Sequence, residues 1–260
     1  TPVVLVTEVR PNLFMLSGDN SNLAVHIGDD GVIVVDTGTK ASAPFVAEAI
    51  KRLAPGKSVR YLINTSADPE RTGGNELLAR EGRSMISFAG TTVGNTLLDG
   101  FNNSGAAAIV ATERAFLRMS GRQAAEGLAS VALPTEAFPE ARRTLFLNGE
   151  GIEIVALRAA HTDADCVVVF RRSDVVVTGG IFTPDRFPVI NREEGGSIAG
   201  LIDALNRLIA MTVSGVPLPS REGGTRIITG SGRLTEQAEL VEYRDMVSIV
   251  RDRIRQSVEA

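Results

Sequence analysis

A single cysteine, Cys166, stands in the whole chain, inside the apolar run CVVVF. No intrachain disulfide can therefore form, and a small buried hydrophobe describes this residue better than a nucleophile does. No apolar run reaches the roughly 18 residues that a bilayer-spanning helix needs. Charge of one sign is also lacking: 27 basic residues face 31 acidic ones, with no basic block and no basic amphipathic helix. Neither nucleic acid nor a membrane surface is expected as a partner. No secretory signal pattern stands at the start, and position 1 is Thr rather than Met, so the compartment stays open. What remains, 43% hydrophobic over 260 residues, suffices to bury a large core without disulfides or a structural metal.

Short β-branched runs fill the first part of the chain. VVLVTEV, NLFMLSG, NLAVHIG and GVIVVDTG, separated by the turn sequences GDNS and GDDG, predict an antiparallel meander. A helix is expected over about 42–54, with Phe45, Val46, Ala49, Ile50 and Leu53 on one face, and VRYLI then forms a strand. Residues 84–107, rich in Gly, Ser, Thr and Asn, are expected to form a long surface excursion. TERAFLRMS resumes as helix, and the polar segment to Pro139 gives no element.

A second series follows: strands at RTLFLN, GIEIVALRAA, DCVVVFRR and DVVVTGG, a helix over 197–213 capped by Ser197, a strand at TRIITG, and a helix over about 236–256. In the closing helix Leu240, Tyr243, Val247, Val250 and Ile254 share one face. One domain over 1–260 is expected, built as a four-layer α/β/β/α sandwich with halves at about 1–125 and 126–260.

Chemistry concentrates in one loop, NTSADPERTGGN at 64–75, between the strand VRYLI and the helical pattern NELLARE. It carries a serine, two carboxylates and an arginine, and neither histidine nor cysteine. Together with GVIVVDTG, AAHTDAD, VVVTGGIF and TGSGRLT, in that order, it makes the chain resemble the metallo-β-lactamase-fold hydrolases over nearly its whole length. The resemblance implies the α/β/β/α fold, a hydrolase activity, and a dinuclear zinc site built on H-x-H-x-D-H in this loop. It also implies a periplasmic or secreted setting if a leader has been removed, and a cytoplasmic one otherwise.

Carried over residue by residue, the ligand positions fall on Ser66, Asp68, Glu70, Arg71, His161, Gly180 and Ser231, and only His161 keeps the family's residue. A guanidinium cannot ligate a metal at accessible pH. No cofactor is therefore expected; zinc enters only if a non-standard site survives at Asp68 and His161. The metallohydrolase chemistry is expected to be lost, leaving a role in binding a small ligand or in interaction, as a homo-oligomer or beside an active relative.

Arg71 with Glu70 and Asp68 reads first as an internal ion-pair cluster and second as the anchor of a pocket for a small anion. An alternative activity is hydrolysis at a mononuclear metal on Asp68 and His161, or a metal-free mechanism on Ser66 and His161 with Asp68 as third member. His26 reads as a structural or surface residue. Asp163 and Asp165 are expected to cap and bond the turn after His161, and Asp36 to brace the backbone of the 64–75 loop. GSG at 230–232 lacks the frame of a nucleophile elbow, and the glycines of EGGTR and NREEGG precede no helix that would cradle phosphate.

Overall fold

The computed structural model describes residues 4–18, 20–84, 105–139, 141–215 and 223–259. The meander appears as β1 (Leu5–Arg10), β2 (Leu13–Gly18), β3 (Ser21–Gly28) and β4 (Gly31–Val35). Then come α1 (Ala43–Leu53), β5 (Val59–Ile63), the short α2 (Pro69–Thr72), α3 (Asn75–Glu81), β6 (Ala108–Thr112), α4 (Glu113–Glu126) and β7 (Glu136–Phe138). The second half holds β8 (Arg142–Leu147), β9 (Glu150–Ala156), β10 (Cys166–Phe170), β11 (Val175–Val177), α5 (Ile198–Met211), β12 (Arg226–Ile228), β13 (Thr235–Glu236) and α6 (Gln237–Glu259).

Strands β1 to β7 form one sheet in chain order, and β8 to β13 form a second, also in chain order. The first sheet is antiparallel from β1 to β4 and parallel from β4 to β7. Alternation along the strands builds the layers. In β4, Ile33 and Val35 face the second sheet, while Val32 and Val34 pack under α1 and α3. In the second sheet Ile152, Ile154, Val168 and Phe170 point inward, while Val155, Val167, Val176 and Ile227 carry α5 and α6. Three apolar layers thus separate helix, sheet, sheet and helix, which is the α/β/β/α sandwich expected from the sequence.

Three details differ from the expectations. The halves meet between Phe138 and Arg142 rather than near 125, because the polar segment closes the first sheet with β7. On α6 only Leu240, Tyr243 and Val247 are buried; Val250 and Ile254 lie exposed because burial ends at Val247 and the last turns of this 23-residue helix stand clear of the apolar layer. On α1, Phe45 and Leu53 are only half-buried, so the helix seats mainly on Val46, Ala49 and Ile50. The expected excursion at 84–107 falls for the most part outside the described residues.

Parallel strands β4, β5 and β6 deliver their carboxyl ends, Asp36, Asn64 and Thr112, to one end of the sandwich. In sheets of this kind that end is where ligands sit. The 64–75 loop is clamped there. A Cβ at Gly73 would come within 2.4 Å of the Lys40 amide nitrogen, and one at Gly74 within 2.4 Å of the Thr37 carbonyl oxygen. Only glycine lets this loop lie against residues 37–40.

Candidate functional site

The frame of the loop is held by amide and hydroxyl bonds. Asn64 and Asn75 exchange side-chain hydrogen bonds of 3.0 and 2.9 Å, and Asn75 also donates to the Ala132 carbonyl at 3.0 Å. Thr37 donates through its amide (2.7 Å) and hydroxyl (3.0 Å) to the Arg71 carbonyl. Asp36, fully buried and with φ of 60°, accepts from the Thr65 amide (2.8 Å) and the Thr65 hydroxyl (2.7 Å). It braces the loop's backbone in this way, and it does more. Its Oδ2 also receives Arg71 Nη1 at 3.2 Å.

That ion pair corrects the expectation for Arg71. The guanidinium turns inward to Asp36, both partners being buried, while Glu70 is exposed and meets the site only through its carbonyl, to which Ser21 donates at 3.4 Å. The reason is geometric: successive residues of the short helix α2 point in different directions, so Glu70 and Arg71 cannot both face the cleft. Burial pushes the Asp36 carboxyl up, against the opposing pull of the Arg71 charge and the two Thr65 bonds.

Asp68 starts α2 but leaves the helix amides uncapped. Its Oδ2 instead accepts from Ser66 Oγ at 2.8 Å and lies 3.2 Å from His161 Nε2. The other imidazole nitrogen, Nδ1, faces the Val189 carbonyl at 2.7 Å. Burial alone would lower the His161 pKa, but the bonds to Asp68 and Val189 and the charges of Asp68 and Asp165 push it up to about 9. For Asp68, burial acts upward and is outweighed by the bonds from His161 and Ser66, so its pKa falls below the ordinary value. Both groups are charged at neutral pH. Ser66, Asp68 and His161 therefore do come together, with the carboxylate in the middle rather than the imidazole.

Gly180 and Ser231 complete the wall. A Cβ at Gly180 would touch His161 Cδ2 at 3.2 Å and approach Arg71 Nε to 3.7 Å, and one at Gly230 would meet Arg71 Nη2 at 2.6 Å. The arginine thus fits across the cleft floor because positions 180 and 230 carry no side chain. Ser231 is buried, and its carbonyl accepts from the Thr229 hydroxyl at 2.9 Å.

The turn after His161 divides its two aspartates. Asp165 bonds the Thr162 amide and hydroxyl at 2.7 and 2.8 Å, as expected of a turn residue; burial raises its pKa to about 6. Asp163 is corrected: it pairs with Arg114 at 2.7 Å and with Arg118, both from α4. Arg118 also reaches Glu194 at 3.2 Å, tying α4 to the segment before α5. These partners, like Asp36 for Arg71 and Val189 for His161, lie far off in the chain, and no local signal marks them. Cys166 is buried, with its thiol pushed well up by burial. His26 is buried as well and lies on β3 near the opposite end of the sandwich.

Among the described residues, no group of three or more His, Cys, Asp or Glu side chains is placed to hold a metal ion. The model of the metallo-beta-lactamase superfamily matches residues 17–214. Among solved structures, the chain is similar to a metallo-beta-lactamase from Pontibacter korlensis, at 14% identity and a TM-score of 0.65 over 95% of this chain and 99% of that one. It is likewise similar to the DIM-1 metallo-beta-lactamase, at 15% identity and a TM-score of 0.66 over 96% and 99%. A double mutant of the sec-alkyl sulfatase PisA1 aligns at 12% identity and a TM-score of 0.71, over 99% of this chain and 43% of that one. A search of the curated proteins finds no match. At such identities the structures speak for the fold alone; with a family match across most of its length, the chain belongs to the metallo-beta-lactamase superfamily.

Proposed function

We propose that this chain keeps the superfamily's scaffold without its zinc-dependent hydrolysis, and that it works by binding or interaction. The observation that carries the reading is the ion pair of Asp68 and His161 at 3.2 Å, with the second imidazole nitrogen held by Val189. A zinc site needs about three protein ligands and an open position for water. Here the donors left to a metal are engaged with each other, and the Arg71 cation lies beside them, close to where a side chain at position 180 would enter. This donor set does not fit the zinc pair, and without a Lewis acid a water molecule keeps its ordinary high pKa and supplies no hydroxide at neutral pH.

Both cleft cations already have carboxylate partners, Arg71 with Asp36 and His161 with Asp68. An interaction role therefore takes precedence over capture of a small anion in the cleft. Purified protein equilibrated with zinc and then desalted is expected to retain less than a stoichiometric amount by elemental analysis. Stoichiometric zinc accompanied by loss of the His161 ring signal in the proton NMR spectrum would overturn the reading.

The metal-free hydrolase reading rests on the contact of Ser66, Asp68 and His161, and it meets two obstacles. A nucleophilic serine needs the imidazole as its base, yet Ser66 donates to the carboxylate, and its side chain is fully buried. A serine-directed phosphonate is expected to leave Ser66 unlabelled; labelling there would restore the hydrolase.

A further inference from the structure

At the end of the sandwich opposite the cleft lies a cavity of about 730 Å³. It opens where β1 turns into β2, β8 into β9 and β10 into β11, and Arg10, His26, Asn148, Glu150, Arg172 and Ser173 are among its lining. Strand β3 spans the distance between the two ends: Asn22 at its start donates to the Thr229 and Gly232 carbonyls beside the cleft, and His26 four residues on reaches this cavity.

The charges here are arranged differently from those of the cleft. Glu150, 2% exposed, accepts from the amides of Arg172 (2.6 Å) and Ser173 (3.0 Å) and from the Ser173 hydroxyl (2.7 Å). Asp174 accepts from the Thr225 hydroxyl at 2.7 Å. With both carboxylates engaged by neutral donors, neither arginine has a carboxylate within ion-pair distance among the described residues. Arg10 donates only to the Ser173 and Gly224 carbonyls, at 3.3 and 2.9 Å. Arg172 is exposed, with Nη1 over Gly149 beside the Asn148 turn, and has no hydrogen-bond partner for its guanidinium among the described residues.

His26 adds an oriented donor. Asn148 Oδ1 accepts from the Asp30 amide at 2.9 Å, so its Nδ2 faces the Gly31 carbonyl (3.1 Å) and His26 Nδ1 (3.5 Å). Nδ1 is thereby the acceptor, and the proton sits on Nε2. Burial lowers the His26 pKa against the charge of Glu150, keeping the ring neutral. Nε2 has no partner among the described residues, although the residue is only 5% exposed.

We infer that this cavity is a second site, for a small oxyanion of the carboxylate or phosphate class, held by Arg172 and Arg10 and oriented by His26 Nε2–H. Two guanidinium groups without carboxylate partners supply the charge, and a buried imidazole donor supplies direction. The site stands apart from the cleft and does not depend on how the cleft is read.

The chain has two histidines, one in each region, so the proton NMR spectrum reports both sites at once. Titration with inorganic phosphate and, separately, with succinate is expected to shift the His26 Cε1–H signal saturably and leave that of His161 in place. The stronger of the two arms identifies the ligand class. Sodium chloride at matched ionic strength is expected to do nothing. Arg172→Ala removes an exposed side chain with no partner for its guanidinium among the described residues and is expected to weaken binding roughly tenfold. An unmoved His26 signal at tens of millimolar of both probes, an equal shift with chloride, or unchanged affinity in Arg172→Ala would each overturn the site.

Discussion

The two ends of the sandwich hold similar side chains in opposite arrangements. In the cleft, Arg71 and His161 are each closed against a carboxylate, Asp36 and Asp68, and the set is largely buried. At the far end, Glu150 is satisfied by amides and a hydroxyl, and the arginines Arg10 and Arg172 lack such partners among the described residues. A buried charge that has its partner stabilises the fold only weakly in net terms, yet removing that partner is costly. A surface cation costs little to remove and is available to a ligand. The cleft should therefore answer to stability measurements, and the far end to binding measurements.

The largest expected effect tests the closed pair. Arg71→Met leaves Asp36 buried without its cation and should destabilise by about 3–5 kcal/mol in urea unfolding; a loss below about 1 kcal/mol would mean the pair is not closed.

Next comes pH. The His161 pKa is raised, so its contribution is complete below the unfolded value near 6.5 and is lost as pH rises through about 9. Unfolding free energy should fall by roughly 3 kcal/mol between neutral pH and about pH 10. Replacing His161 with Gln should remove that slope. Asp68, with its lowered pKa, acts in the other direction: its contribution is present above the ordinary carboxylate value and is lost in acid.

At the far end, Glu150→Gln keeps one acceptor oxygen and should cost about 1–2 kcal/mol. Smallest of all, Arg172→Ala should change stability by less than about 0.5 kcal/mol. If it costs more than Glu150→Gln, the contrast between the ends fails.

The layers were legible because alternation survives locally: Val32 to Val35 announce a strand buried on both faces without any knowledge of its neighbours. That the 64–75 loop and His161 meet was legible, since their order along the chain resembles the family's. The partners were not. Arg71 finds Asp36 across 35 positions and passes over the adjacent Glu70, a choice set by the direction of one helical turn. Asp163 finds α4 rather than its own turn. The exposed end of α6 was invisible as well, because Val250 and Ile254 keep the apolar spacing of the buried Leu240, Tyr243 and Val247. The far cavity gathers three turns, and no single turn shows it.

The bare Cα positions at Gly180 and Gly230 bear on which side chains this site can accept. An aspartate placed at 180 alone would enter against His161 and Arg71, and a guanidinium would neutralise it before any ion could. A histidine placed at 71 alone would leave the buried Asp36 carboxylate without its guanidinium partner. The effect of each change depends on the residue at the other position, so the two should show strong non-additivity in paired substitutions. Arg71, His161 and the two glycines therefore act as one interlocked set, and a change at one position alters what the others can accept.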